Sequence, residues 1–165
     1  MLVDEGLTRI VIGCAHRVYN ILGPGLPESV YVGALAIECQ KQGLHVAREY
    51  PIAVYYDGVV VGSYRADLLV ERRLIVEAKA CPFHESHGKQ LLTYLRCSDV
   101  ELGLVISFDP KPHVKRFIMR NAVKGAWRRE RERRVDEETT RSRGKDREQR
   151  VDAEPAAEAS ETTLK

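Results

Sequence analysis

Two charged residues interrupt a run that is otherwise wholly apolar: in Leu74-Ile-Val-Glu-Ala-Lys-Ala, Glu77 and Lys79 stand two places apart. A segment so rich in aliphatic and β-branched side chains predicts a strand inside a sheet, where an uncompensated charge costs several kcal/mol. Residues two apart on a strand share a face. Glu77 and Lys79 therefore project together with Ile75, while Leu74, Val76 and Ala78 face the other way. The preceding strand, Ser63 to Val70, ends in Asp67-Leu-Leu-Val and is joined by the polar turn Glu71-Arg72-Arg73. A hairpin turning around Arg72 sets Asp67 opposite Glu77, within one residue of register, with Arg65 and Leu69 on the face of Asp67. Asp67, Glu77 and Lys79 then converge in the middle of an apolar sheet.

Two readings of that convergence compete. One is a structural ion pair between Asp67 and Lys79. The other is a site: adjacent carboxylates repel, a divalent cation relieves the repulsion, and magnesium binds through one or two carboxylates, several waters and substrate phosphate. A lysine beside them orients water or stabilises charge on phosphoryl oxygens. The continuously apolar setting favours the site.

The remaining pattern supplies the frame. Ile10, Val11, Cys14, Val18, Ile21 and Leu22 recur at helical spacing until Gly23-Pro24-Gly25 breaks the run. Pro27 opens a second helix, with Val30, Tyr31, Ala34, Leu35, Ile37 and Glu38 in its pattern, which stops at Gly43. From Pro51 the period changes to that of strands, and Asp57-Gly58 marks a hairpin turn. A helix over residues 87–96, a buried strand over 102–108 and an edge strand over 114–119 follow. The order helix, helix, three-strand meander, helix, strand predicts an α/β (α+β) domain with a mixed sheet covered by helices.

Charge divides the chain in two. From Ala122 to the end, 12 Lys/Arg and 11 Asp/Glu fall in 44 residues, which leaves 14 basic and 13 acidic residues in the first 121. The expected organisation is a domain over 1–121 and a charged, disordered or frayed-helical tail over 122–165. Four cysteines without a close pair argue against structural zinc, and Cys14, Cys39 and Cys97 sit among apolar neighbours as core residues. No apolar run approaches a membrane span and no signal-peptide pattern opens the chain, so the expectation is a cytoplasmic protein. Gly23-Pro24-Gly25 is no phosphate-cradling loop.

Five short motifs in order resemble one family. The spacing of Asp67 from Glu77-Ala78-Lys79 is similar to that of the PD-(D/E)XK nuclease superfamily, and Gly25-Leu-Pro-Glu-Ser-Val-Tyr31 resembles the signature of its bacterial GxxExxY branch. Tyr55-Tyr-Asp-Gly58, Tyr64-Arg-Ala-Asp67, Val76-Glu-Ala-Lys79 and His87-x-x-Gln-Leu-Leu-x-Tyr-Leu95 extend the likeness over roughly residues 8–120. The resemblance implies a PD-(D/E)XK nuclease-like core and a nuclease that uses Mg2+ or Mn2+. Asp67 and Glu77 would hold the metal with the carbonyl of Ala78, Glu28 would add a carboxylate, and Lys79 would be the catalytic lysine. Gln90 and Tyr94, on one helix face with His87, would face the site to place phosphate or water. Arg65 would contact a phosphate. Cys81, just past the lysine, and the charged tail depart from the family pattern. The implied partner is nucleic acid, DNA before RNA, and the near-neutral domain argues against strong sequence specificity. The alternative is a catalytically silent member of the fold that binds nucleic acid or protein.

Overall fold

The computed structural model describes residues 4–125, 127 and 129; nearly all of the tail expected over 122–165 lies outside the described residues. The chain forms α1 (Glu5–Leu22), α2 (Glu28–Lys41), β1 (Val46–Tyr56), β2 (Val59–Val70), β3 (Leu74–Lys79), α3 (Glu85–Arg96), β4 (Leu102–Ser107) and β5 (His113–Ile118), then a short 3-10 turn at Asn121–Val123. This is the expected order of helices and strands, with the last edge strand present.

Local chemistry sets the boundaries. Helix α1 ends where Gly23 adopts a left-handed φ of 68°, its N–H donating to the Tyr19 carbonyl. Pro27 directly precedes α2, where its fixed φ suits the entry of a helix. At the tip of the β1–β2 hairpin, Asp57 and Gly58 both take positive φ (47° and 73°), as a two-residue hairpin turn requires.

The five strands form one sheet in chain order, antiparallel except between β3 and β4. A parallel pair needs a crossover, and α3 provides it. The two sheet faces carry separate cores. Helices α1 and α2 pack Val11, Val18, Tyr31 and Leu35 against Leu68, Val76, Leu104 and Ile106. On the other face, α3 packs Leu91, Tyr94 and Leu95 against Ala66, Leu69, Ile75 and Val105. Gly103 permits that closeness: a Cβ there would lie 2.8 Å from a Leu91 methyl.

Cys14, Cys39 and Cys97 are buried and Cys81 is exposed, and none of the four is in a disulfide. The expected helical stripes are only partly inward. Val30 and Ile37 of α2 and Ile10 and Ile21 of α1 are exposed, and Leu92 of α3 is half-exposed. Beyond β5, Lys124 is buried, its ammonium donating to the carbonyls of Ser98 (2.8 Å) and Val100 (2.7 Å). Among the described residues no helix is long and apolar enough to cross a membrane.

Candidate active site

The β2–β3 ladder is short, and its end builds the site. Paired positions are Val70 with Leu74, Leu69 with Ile75 and Leu68 with Val76. One further step sets Asp67 beside Glu77, the register expected from the hairpin. There the backbone pairing stops, and the Ala78 N–H donates to the Asp67 carboxylate instead (Oδ2, 2.8 Å). On its other edge β3 stays paired with β4 through Lys79 and Ser107, so the strand is rigidly held while its β2 side opens. Glu77 shares the phase of Ile75, and both face α3.

Glu77 is 2% exposed. Its Oε1 accepts a hydrogen bond from Lys79 Nζ at 2.7 Å, whereas its buried Oε2 has no hydrogen-bond partner. Burial, reinforced by the Asp67 charge and opposed by Lys79, pushes the Glu77 carboxyl up to about 7. Asp67 is also raised, first by burial; the Ala78 N–H and Lys79 pull it back, and the charges of Glu28 and Glu49 push it further up. For Lys79, burial alone would lower the pKa, but the Glu77 hydrogen bond and the surrounding carboxylates outweigh it and hold the ammonium charged.

Glu28, the first residue of α2, reaches the same spot, with Oε1 3.5 Å from Lys79 Nζ and a half-exposed side chain. Its placement depends on Tyr31. The fully buried Tyr31 ring stacks on Phe108 at 4.5 Å, and its hydroxyl donates to the Gly23 carbonyl (2.7 Å) while accepting from the Leu26 N–H (3.2 Å). One tyrosine thus pins both ends of the α1–α2 linker, with Gly25 taking φ 89° between them. Gly25, Glu28 and Tyr31 all belong to the segment that leads from α1 into α2.

Helix α3 closes the other side. The Gln90 amide donates to the Tyr94 hydroxyl at 2.6 Å, and Tyr94 is raised by burial, with the nearby Glu77 charge adding to it. His87 lies close enough to feel Lys79, whose charge adds to burial in lowering its pKa. The same ring helps to cap the helix. His87 Nδ1 accepts from the His84 N–H, while the His84 ring accepts from the Ser86 N–H. Arg65 stands apart from this group. It is exposed, and its ion-pair partner is the equally exposed Glu49 at 3.8 Å.

Asp67, Glu77, Lys79 and Glu28 therefore meet at one point, with Tyr94, Gln90 and His87 along the facing helix. Sequence reasoning did not single out Tyr64 or Phe83. Tyr64 of β2 tilts against Tyr94 (ring centroids 5.7 Å apart), and Phe83 sits edge-on to His87 at 6.0 Å. Strand phase separates Tyr64 from Asp67, so no periodicity argument could have placed it at the site. Among the described residues no group of three or more His, Cys, Asp or Glu side chains forms a self-sufficient metal cage. Two carboxylates with one unpartnered buried oxygen suit instead a hard cation that keeps waters and takes further ligands from its substrate.

Comparison with known proteins shows the family. A sequence model of the PD-(D/E)XK nuclease superfamily matches residues 5–117, and the chain belongs to that superfamily. A search of curated proteins gives no match. Among solved structures, the chain is similar to an alkaline exonuclease (LHK-Exo) from Laribacter hongkongensis, at 13% identity over 89% of this chain and 97% of that one, with a TM-score of 0.32. The LHK-Exo complex with dAMP gives 13% identity over 88% and 100%, with a TM-score of 0.35. Scores this low transfer no residue correspondence.

Proposed function

We propose that this PD-(D/E)XK protein is a metal-dependent nuclease that hydrolyses phosphodiester bonds, with DNA as its substrate ahead of RNA. The observation that carries the reading is the buried, unpartnered Oε2 of Glu77 beside Asp67 and Lys79. A purely structural ion pair has no use for a second carboxylate whose charge is forced onto the first. Mg2+ or Mn2+ would be held by Asp67 and Glu77, with the Ala78 carbonyl and Glu28 as further oxygen donors. Once bound, such an ion supplies Lewis-acid polarisation of a phosphate and acidifies a water.

The remaining steps belong to the chain's own groups. Lys79, kept as an ammonium, would donate to the attacking water or to a non-bridging phosphate oxygen. Gln90 and Tyr94 already form a hydrogen-bonded pair, so their side chains are oriented before substrate arrives. The narrower GxxExxY assignment rests on Gly25, Glu28 and Tyr31 acting together. Four cysteines outside any disulfide suit a reducing cytoplasm, and the superfamily fold is compatible with a bacterial source.

The test incubates purified protein with end-labelled single- and double-stranded DNA and RNA in Mg2+, Mn2+ or EDTA, alongside Lys79→Ala. Products that require the metal and vanish in the variant support the reading. If no substrate is cut and Mg2+ leaves the melting temperature unchanged, the protein is a binding member of the fold.

A further inference from the structure

A groove of about 540 Å³ lies between α3 and the edge strand β5, outside the carboxylate cluster. Its floor is apolar: Leu92 from the helix, Phe117 from the strand, and Phe83 from the segment that enters α3. Gly88 makes this possible, because a Cβ at that position would lie 2.6 Å from the Phe117 ring. Helix and strand touch at that point. Its rim is cationic. Lys89, Lys115 and Arg116 line it against one acid, Glu85, and Lys115 Nζ sits 3.9 Å from the Phe83 ring centroid. Such a basic bias is absent from the domain as a whole, whose first 121 residues hold 14 basic and 13 acidic side chains.

We propose that this groove binds a single strand of nucleic acid running to or from the carboxylate site, with the bases lying on the Phe83–Phe117 floor and the phosphates on Lys89 and Lys115. An apolar, aromatic floor under a cationic rim matches the two halves of a nucleotide, the planar base and the anionic backbone. An acidic peptide would use the rim and leave the rings idle. Continuity with the site favours a shared ligand as well. Phe83 contacts His87, which feels the Lys79 charge, and on its other side contacts His113 at the start of β5 (5.7 Å). The choice of ligand rests on the nuclease reading; the groove itself does not.

The test measures fluorescence anisotropy of labelled oligothymidylates of 4 and 20 nucleotides in EDTA, where hydrolysis is suppressed, for wild type, Phe83→Ala and Lys89→Gln/Lys115→Gln. Both lysines are exposed, so the double variant is expected to fold, and a thermal melt confirms it. The double variant should lose on the order of 10-fold affinity for the 20-mer and flatten its salt dependence by roughly 0.7 per lost phosphate contact. Phe83→Ala should lose on the order of 10-fold through stacking. Both losses should shrink for the 4-mer, a length dependence that simple destabilisation does not produce. Equal 20-mer binding and salt slope in wild type and double variant would overturn the proposal. So would displacement by polyglutamate of matched charge as effective as that by unlabelled 20-mer, which would mark an acidic-peptide site. Hydrolysis measured on the same preparations separates the two claims. Cleavage with groove-independent binding refutes the groove alone, and groove-dependent binding without cleavage refutes the nuclease alone.

Discussion

Raising the pH of the metal-free protein should destabilise it, because folding holds Glu77 in a place that resists its charge. The carboxyl titrates near 4.5 when unperturbed and at about 7 in the fold. Between those values the native state binds a proton that the unfolded chain has released, so stability falls as pH rises and levels off above about 7. At about 1.4 kcal/mol per pH unit the loss is ~3 kcal/mol, with almost no solvent screening because Glu77 is 2% exposed. For a domain of this size that is roughly 10 °C in melting temperature between pH 5 and pH 8. Asp67, also raised, adds to the trend. His87, lowered by burial and the Lys79 charge, opposes it, because its contribution to stability grows as pH rises through the unfolded histidine value. Glu77→Gln isolates the carboxyl and should flatten the profile. In wild type, Mg2+ should raise the melting temperature more at pH 8 than at pH 5, since a bound cation needs the deprotonated ligand. Melts by circular dichroism in EDTA and in magnesium decide the matter. A wild-type profile that is flat or rising between pH 5 and 8, and parallel to that of Glu77→Gln, would refute the argument.

Three further outcomes are expected. Lys79→Ala should cut hydrolysis by at least 100-fold, in the range of a lost charge-stabilising donor; at pH 5, where Glu77 can take up a proton, it should change the melting temperature little, and a large drop there would favour the structural ion pair. Tyr31→Phe should lower stability by about 1–2 kcal/mol through two lost hydrogen bonds and weaken magnesium binding in calorimetry by loosening Glu28, whereas unchanged metal affinity would detach Glu28 from the site. Gly103→Ala should cost about 1–3 kcal/mol in urea unfolding because the new methyl meets Leu91, and a neutral result would mean that α3 shifts without penalty.

The site was legible in the sequence where strand phase alone decides geometry. Glu77 and Lys79 at positions two apart, and a short polar turn after Val70, sufficed to bring Asp67 alongside. Helices were legible through their stops, Gly23 and Pro27, because a break in φ is a local event. What escaped was everything set by contact between distant segments. The Tyr31 hydroxyl spans a linker eight residues behind it, and Tyr64 of β2 meets Tyr94 of the helix packed on it, neither of which leaves a periodic trace. Leu92 carries the letter of a core residue yet lines the groove, since the width of the α3 apolar face depends on where β5 lies. Arg65 shows the converse. Its phase relation to Asp67 was readable, but strand phase carries no information about its exposed partner Glu49.

The short ladder between β2 and β3 has a consequence for anyone engineering this fold. Continued in register, the ladder would run on from Leu68 and Val76 toward Ala66 and Ala78. It stops short of them, and the Asp67 carboxylate accepts from the Ala78 N–H instead. Zipping the two strands one pair further would add a regular hydrogen bond and release a half-buried acid to solvent. Sequence optimisation for sheet regularity would therefore select against the very seam that lets an acid sit beside Glu77. Variants selected only for heat resistance should accumulate changes at Ala66 and Asp67 before other positions around Glu77.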